Sequence, residues 1–234
     1  MEDLFAAIQA GDETAVRDML RDEPSLAGER SPSGISAILA ALYHRKPELA
    51  EILVSAGAPI DMFDAAALGR IDRLEDLAGN GEAWSGDGFT PLHLACFFGR
   101  LEAARWLLDH GALVDAEARN PMKVRPIHSA AASRKSDVVR MLVERGASVD
   151  AQQAGGWTAL MAAALHGDEA MAKILVDAGA DPRRRADDGR SALDMDASGR
   201  VKSLLPEPKP EPRPAPKPAP RREPQPAPRR WDPS

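Results

Sequence analysis

Histidine and cysteine side chains are the groups in this sequence best suited to act as a general base, a nucleophile or a metal ligand. They are His44, His93, His110, His128, His166 and Cys96. None of them stands in a His-Glu-x-x-His pattern or in the paired-cysteine spacing of a structural zinc site. The sequence also lacks a Gly-x-Ser-x-Gly motif and a glycine-rich phosphate loop. We therefore predict no metal, no cofactor, no small-molecule substrate and no catalytic residue.

A catalytic site assembled from distant segments would leave no such local motif. Loss of a hydrolase or transferase activity on substitution of His44 and His166 would indicate one. Cys96 lies in an alanine-rich stretch with no activating basic residue beside it, which favours an inert core thiol.

The charge of the chain is divided between an acidic body and a basic C-terminal segment. The net charge of the 234 residues is −6, but residues 1–205 hold 23 basic and 32 acidic residues, whereas residues 206–234 hold seven and four. An acidic body is poorly matched to the phosphates of duplex nucleic acid. The arginines at 183–185 could bind phosphate, although a solvated hairpin tip balanced by Asp187 and Asp188 fits them better. We expect no nucleic-acid partner.

Membrane and export signals are missing from the sequence. No run approaches the ~18 consecutive apolar residues that a membrane span needs. Residues 1–13 are acidic and amphipathic, without the basic start and apolar stretch of a secretory signal. We therefore expect a cytoplasmic protein.

The sequence changes abruptly at Pro206, because 12 of the last 29 residues are proline. Proline lacks an N–H donor, fixes its own φ and biases the preceding residue away from helix. We predict a disordered, extended proline-rich tail over residues 206–234. Spacing such as Pro212-Arg213-Pro214 suits recognition by another domain, but a solubilising spacer or an anchor to an anionic surface fits the segment slightly better.

Residues 1–205 contain a repeat marked by glycine–alanine pairs. The last three pairs, at Gly111, Gly146 and Gly179, are 35 and 33 residues apart, and an earlier one lies at Gly57. Before each pair come a helix-starting residue, a short alanine-rich helix, a break, and a second helix with apolar residues at three- and four-residue spacing. A helix pair this short cannot bury its apolar face alone, so the copies must stack.

Residues 87–118, DGFTPLHLACFFGRLEAARWLLDHGALVDAEA, resemble an ankyrin repeat almost position for position. The resemblance, which extends to the stand-alone ankyrin-repeat proteins common in bacteria, implies an all-α solenoid of about seven helix-turn-helix units with short β-turn hairpins. We place the units at residues 3–30, 31–61, 62–86, 87–119, 120–153, 154–186 and 187–205. The first and last resemble capping units. The unit at 62–86 lacks the front hairpin, which should narrow or interrupt the binding face.

The resemblance also implies roles for particular residues. His93 and His128 stand at the histidine position of the family, where the imidazole usually binds the backbone of the next repeat. Partners usually bind to the hairpin tips and to the exposed side of the first helices, which together form the concave face. The residues of this sequence at those positions are Ile35, Tyr43, His44, Phe89, Phe97, Phe98, Met122, Val124, Trp157, Leu165 and His166.

Five of the ten aromatic residues in the chain belong to this predicted set. Aromatic anchors dominate the energy of many interfaces, so the set favours a binding surface. The alternative is that Phe89 and Trp157 merely cover their hairpins and that Phe97 packs between repeats. We expect a monomeric, non-catalytic module that binds a protein partner. An adaptor whose tail binds a second protein or tethers the solenoid is the alternative.

Overall fold

The computed structural model describes residues 3–77, 83–197 and 199–204, and over these residues the chain forms pairs of short antiparallel helices. The first helices of the pairs are α1 (Leu4–Ala10), α3 (Ala37–Tyr43), α5 (Met62–Leu68), α7 (Pro91–Phe97), α9 (Pro126–Ala132), α11 (Ala159–His166) and α13 (Ala192–Met195). The second helices are α2 (Glu13–Asp22), α4 (Pro47–Ser55), α6 (Ile71–Asp76), α8 (Leu101–Asp109), α10 (Ser136–Glu144), α12 (Glu169–Asp177) and α14 (Arg200–Ser203). The predicted all-α solenoid is confirmed.

Local capping chemistry sets the start of the first helices. The Ser36 hydroxyl accepts a hydrogen bond from the Leu39 N–H at 3.0 Å, and the Asp61 carboxylate accepts one from the Asp64 N–H at 2.8 Å. Pro91 and Pro126 occupy the first helical position, where the missing N–H has no partner to lose. Each helix is short because the turn that follows reverses the chain.

The first helices stack side by side through small buried residues. Helix α7 packs between α5 and α9, and α11 packs between α9 and α13. Ala95, Ala130 and Ala163 are almost completely buried and allow the helices to approach closely. Two core clusters run along the stack and meet within α5, where Ala66 belongs to one and Ala67 to the other. The apolar interior is therefore continuous along the solenoid.

Tight hairpins precede most of the first helices and are each closed by a backbone hydrogen bond of 2.8 or 2.9 Å. The N–H of the first residue donates to the carbonyl of the second in the pairs Ser31–Ile35, Ser85–Phe89, Ala118–Val124, Gln153–Trp157 and Ala186–Arg190. The 118–124 hairpin is two residues longer than the others. No described residue directly before α5 makes such a closure.

The absence of a hairpin before α5 narrows the row of hairpins without interrupting it. The hairpin at 85–89 lies directly against the hairpin at 31–35, so closely that a Cβ atom on Gly86 would collide with the Ser33 carbonyl. The Tyr43 hydroxyl also donates a hydrogen bond to Asp87 at 2.7 Å across the same junction. An interrupted binding face, the second alternative that the sequence left open, is wrong. The two hairpins lie directly against each other because the intervening hairpin is absent.

The described residues leave two predictions from the sequence untested. The proline-rich tail at 206–234 falls outside the described residues, and the boundaries between units stay a prediction. Within the part of the chain that the structure describes, no helix combines the length and the apolar character needed to cross a bilayer.

Candidate functional site

Three aromatic rings form a cluster at the ends of α3 and α7. The Phe97 and Phe98 rings meet edge to face with centroids 5.1 Å apart, and the Tyr43 ring lies 5.6 Å from Phe98 and 6.3 Å from Phe97. Edge-to-face and tilted pairs at these distances are favourable beyond the area they bury. The cluster joins units that are two apart in the sequence, because α3 and α7 flank α5.

A hydrogen-bond network fixes the position of Tyr43. Its hydroxyl donates to one carboxylate oxygen of Asp87, and the Ser85 hydroxyl donates to the other. Burial, and next the negative charge of Asp87, raise the pKa of Tyr43 far above its usual range. The phenol therefore stays protonated and remains a donor to Asp87.

An apolar hollow of about 200 Å³ opens beside the aromatic cluster. Its walls come from the first helices and from two hairpins: Tyr43, Phe89, His93, Leu94, Phe97, Met122 and Ser129. Phe89 stands 5.7 Å from the His93 ring, centroid to centroid. A hollow of this size accepts one large apolar side chain, which is how interface hot spots are commonly seated.

Few of the described large apolar side chains are exposed. Among the described residues they are Phe97 at 38%, Met122 at 51%, Leu165 at 54% and Leu113 at 59%. The first three belong to the set that the sequence predicts for partner binding. Leu113 lies outside it, in the segment that follows α8.

The remaining predicted residues do not join the aromatic cluster. His44 and His166 are exposed at the ends of α3 and α11, and Ile35 is half-buried in its hairpin. Trp157 is half-buried, with the Arg190 guanidinium 6.0 Å from its ring centroid. The structure thus brings together Tyr43, Phe89, Phe97, Phe98 and Met122, and spreads the others along the stack.

Val124 contributes little contact surface, because its side chain is buried at 9% exposure. Its carbonyl accepts hydrogen bonds from the Ala118 N–H at 2.8 Å and from His93 Nε2 at 3.0 Å. Both bonds hold the hairpin against α7. The repeat frame gives the position of Val124 but not the burial of its side chain.

The side chains of His93 and His128 form hydrogen bonds with backbone groups. The backbone N–H groups of Thr90 and Arg125 donate to their Nδ1 atoms, and their Nε2 atoms donate to the carbonyls of Val124 and Ala151 at 3.0 and 2.9 Å. Burial lowers the pKa of His93 to about 4 and also lowers the pKa of His128. Both rings are therefore neutral near pH 7 and link one unit to the next.

Cys96 is fully buried, and burial raises the pKa of its thiol. A buried, protonated thiol is a poor nucleophile. Within residues 3–77, 83–197 and 199–204, no three side chains of His, Cys, Asp or Glu lie together in a group that could hold a metal ion.

Sequence reasoning missed two parts of this site. The bond from Tyr43 to Asp87 has no local signal, because it joins residues 44 positions apart. The second part is a basic groove on the other side of the aromatic cluster. The replacement of a turn glycine by Arg134 is the sequence signal that could have revealed it.

Profiles of one known family match most of the described solenoid. A profile of ankyrin repeats in three copies matches residues 62–153, and a profile of a single ankyrin repeat matches residues 155–187. The crystal structure of the ankyrin repeat domain of Bcl-3, described as a unique member of the IkappaB protein family, superposes with a TM-score of 0.56 at 25% sequence identity. That match covers 86% of this chain and 96% of the other.

Two curated relatives match over shorter segments. Potassium channel AKT3 of Oryza sativa subsp. japonica is 46% identical over 67 residues, which are 28% of this chain and 7% of the relative. Ankyrin repeat and SAM domain-containing protein 6 of Mus musculus is 30% identical over 139 residues, which are 58% of this chain and 12% of the relative. The chain therefore spans only a small part of the curated relatives it matches.

Proposed function

The chain belongs to the ankyrin-repeat family, and we propose that it is a non-catalytic module that binds a protein partner on the face formed by its hairpins and first helices. Repeats of this family are generally protein–protein interaction modules. The fold presents a continuous row of first helices whose outer surface is not needed for its own core.

The exposure of Phe97, Met122 and Leu165 is the observation that carries this proposal. Among the described residues, three of the four exposed large apolar side chains belong to the set that the sequence predicts for partner binding. Exposed apolar side chains cost solubility, and a partner that covers them recovers the free energy of burial. The neighbouring hollow of about 200 Å³ supplies a seat for an apolar side chain of the partner.

The aromatic cluster supports the same face for a second reason. Tyr43 is fixed by Asp87, so the wall of the hollow is ordered in the free protein. A preordered wall loses little conformational entropy on binding.

Affinity capture with matched variants tests the proposal. The full chain and a triple variant, Phe97→Ala/Met122→Ala/Leu165→Ala, serve as baits in a lysate of the source cells, with Leu113→Ala as the control. All four side chains are at least 38% exposed, and circular dichroism checks that each variant stays folded. We expect a partner that binds the full chain and the Leu113 variant but not the triple variant. A partner retained by the triple variant would contradict the proposed face.

A fourth bait, residues 1–205, tests the adaptor alternative. A partner lost only from this bait would assign binding to the proline-rich tail. A partner lost only from the triple variant would assign it to the solenoid.

A further inference from the structure

A second hollow, about 480 Å³ in volume, lies on the other side of the aromatic cluster. Tyr43, Phe97 and Phe98 contribute to its apolar part. The turns that join the first and second helices form its rim. It is thus a groove with an aromatic floor, located where α3 ends and α4 begins, and at the matching turn between α9 and α10.

The rim of this groove is positively charged. Arg45, Arg100, Arg134 and Lys135 line it, and no carboxylate among the described residues does so. The Arg100 Nε donates to the Ala67 carbonyl at 2.9 Å, but none of the four cations has a carboxylate ion-pair partner in the described part of the chain. Asp137 lines a smaller, neighbouring hollow with Arg134 and Lys135. This concentration of unpaired cations contrasts with the net negative charge of residues 1–205.

Two of these arginines hold a backbone conformation that disfavours them. Arg45 and Arg134 both have φ of 59°, in the left-handed region. The equivalent turn positions in four other units are glycines with positive φ: Gly11, Gly69, Gly99 and Gly167. A residue with a Cβ atom is strained there, whereas glycine is not. Backbone strain of this kind clusters at functional sites, and both arginines line one groove. Lys123, with φ of 49°, is the other described non-glycine residue in this region and lies outside the groove.

We propose that this basic groove binds an acidic segment of a protein partner, with an aromatic or large apolar side chain seated on Tyr43, Phe97 and Phe98 and with carboxylates paired to the rim cations. The proposal names the chemistry of the partner and rests on the proposed function. Arginine forks pair well with carboxylates, and the aromatic floor supplies a desolvated anchor beside them. The proline-rich segment of the chain itself holds seven cations and four acidic residues, so its net charge has the same sign as the groove.

Fluorescence polarisation with a labelled peptide, Glu-Asp-Glu-Phe-Asp-Glu-Asp, tests the proposal on the full chain. We expect saturable binding that weakens severalfold between about 50 mM and about 300 mM NaCl, because salt screens exposed charge pairs. A peptide with Lys in place of every acidic residue should not bind, and replacement of its Phe by Ala should weaken binding. No polarisation change up to about 1 mM of the acidic peptide would overturn the proposal.

The double variant Arg45→Gly/Arg134→Gly makes the test specific to the groove. It should have a higher melting temperature than the parent, because glycine relieves the left-handed strain, and yet bind the peptide at least about tenfold more weakly. Arg45→Lys/Arg134→Lys keeps the charge and should retain most of the binding. Arg140→Ala removes an exposed cation from α10, outside the groove, and should change neither property. Undiminished binding by the glycine variant would overturn the proposal.

Two further outcomes separate this inference from the proposed function. A labelled single-stranded oligouridine that binds more tightly than the peptide, and is lost with the glycine variant, would assign the groove to nucleic acid and overturn the acidic-segment proposal. Capture of the cellular partner by the glycine variant, together with its loss from the Phe97/Met122/Leu165 variant, would keep the proposed function and reject the groove.

Discussion

At the scale of single residues, Asp64 is a buried carboxyl group whose pKa is raised into the neutral range. Its side chain is completely buried at the start of α5, where it accepts hydrogen bonds from the Ser36 hydroxyl and from the Asp61 N–H. Burial, and next the negative charge of Asp61, raise its pKa from 3.8 to about 7, and the two hydrogen bonds and Arg30 only partly offset this. The folded protein therefore holds a proton on Asp64 that the unfolded chain has already released at about pH 5 to 6.

This raised pKa gives a prediction about stability and pH. A group with a raised pKa in the folded state stabilises the fold below its unfolded pKa, and that contribution is lost as pH rises from about 4 to about 7. Asp64→Asn carries no such proton, so above about pH 7 it should be more stable than the parent by about 2 kcal/mol. Urea unfolding at a series of pH values measures the difference.

The difference between the two pH profiles is the informative quantity. The lowered pKa values of His93 and His128 destabilise both proteins as pH falls below about 6.5, so these contributions cancel. Asp72→Asn, which replaces an exposed carboxylate on α6, is the control and should follow the parent. Parallel profiles for the Asp64→Asn variant and the parent would show that Asp64 is ionised in the fold.

At the scale of elements, the junction between the 31–35 and 85–89 hairpins is the feature that shapes the candidate site. It places Asp87 within reach of Tyr43, and so it orders the aromatic cluster. Gly86 makes the junction possible, because only a residue without a Cβ atom fits against the Ser33 carbonyl. Its φ is not in the left-handed region, so the constraint on Gly86 is space rather than backbone conformation.

Gly86→Ala should therefore separate the two hairpins. We expect a loss of about 1 to 3 kcal/mol in the free energy of unfolding, since backbone atoms on the opposing side cannot yield as a flexible side chain would. Gly28→Ala is the matched control: Gly28 also lacks a left-handed φ, and its new Cβ would lie 3.3 Å from the Pro59 ring. Equal stabilities of the two variants would contradict a close junction.

The same junction marks the limit of what the sequence could predict. Caps, apolar spacing and glycine breaks are local signals, so the helix pairs follow from them, and the repeat frame places Phe97, Met122 and Leu165 on the outside. The Tyr43–Asp87 bond joins units two apart in the chain, and the basic groove takes its lining from three units. No local pattern encodes that contact, because it depends on how thin the intervening unit is once its hairpin is missing.

At the scale of the whole molecule, stability depends on an apolar stack that must be closed at both ends. Helices α13 and α14 cover the last full pair, and their Ala192, Met195 and Val201 are buried in the same core as α11 and α12. In a solenoid each unit contacts only its neighbours, so removal of an end unit exposes the apolar side of the next. The proline-rich segment from residue 206 onward is rich in charge and poor in large apolar residues, so we expect it to add little to the stability of the stack.

Two truncations distinguish these contributions. A chain ending at residue 205 should keep the melting temperature of the full chain within about 2 °C, whereas a chain ending at residue 186 should melt at least about 5 °C lower and aggregate more readily. Differential scanning calorimetry measures the first effect, and light scattering during the same heating measures the second. The parent and the 1–205 chain should both have the mass of a monomer by light scattering, because both ends of the stack are capped. If the two truncations melted together, α13 and α14 would not act as a cap, and the core that contains Met195 and Val201 would add nothing to the stability of the stack.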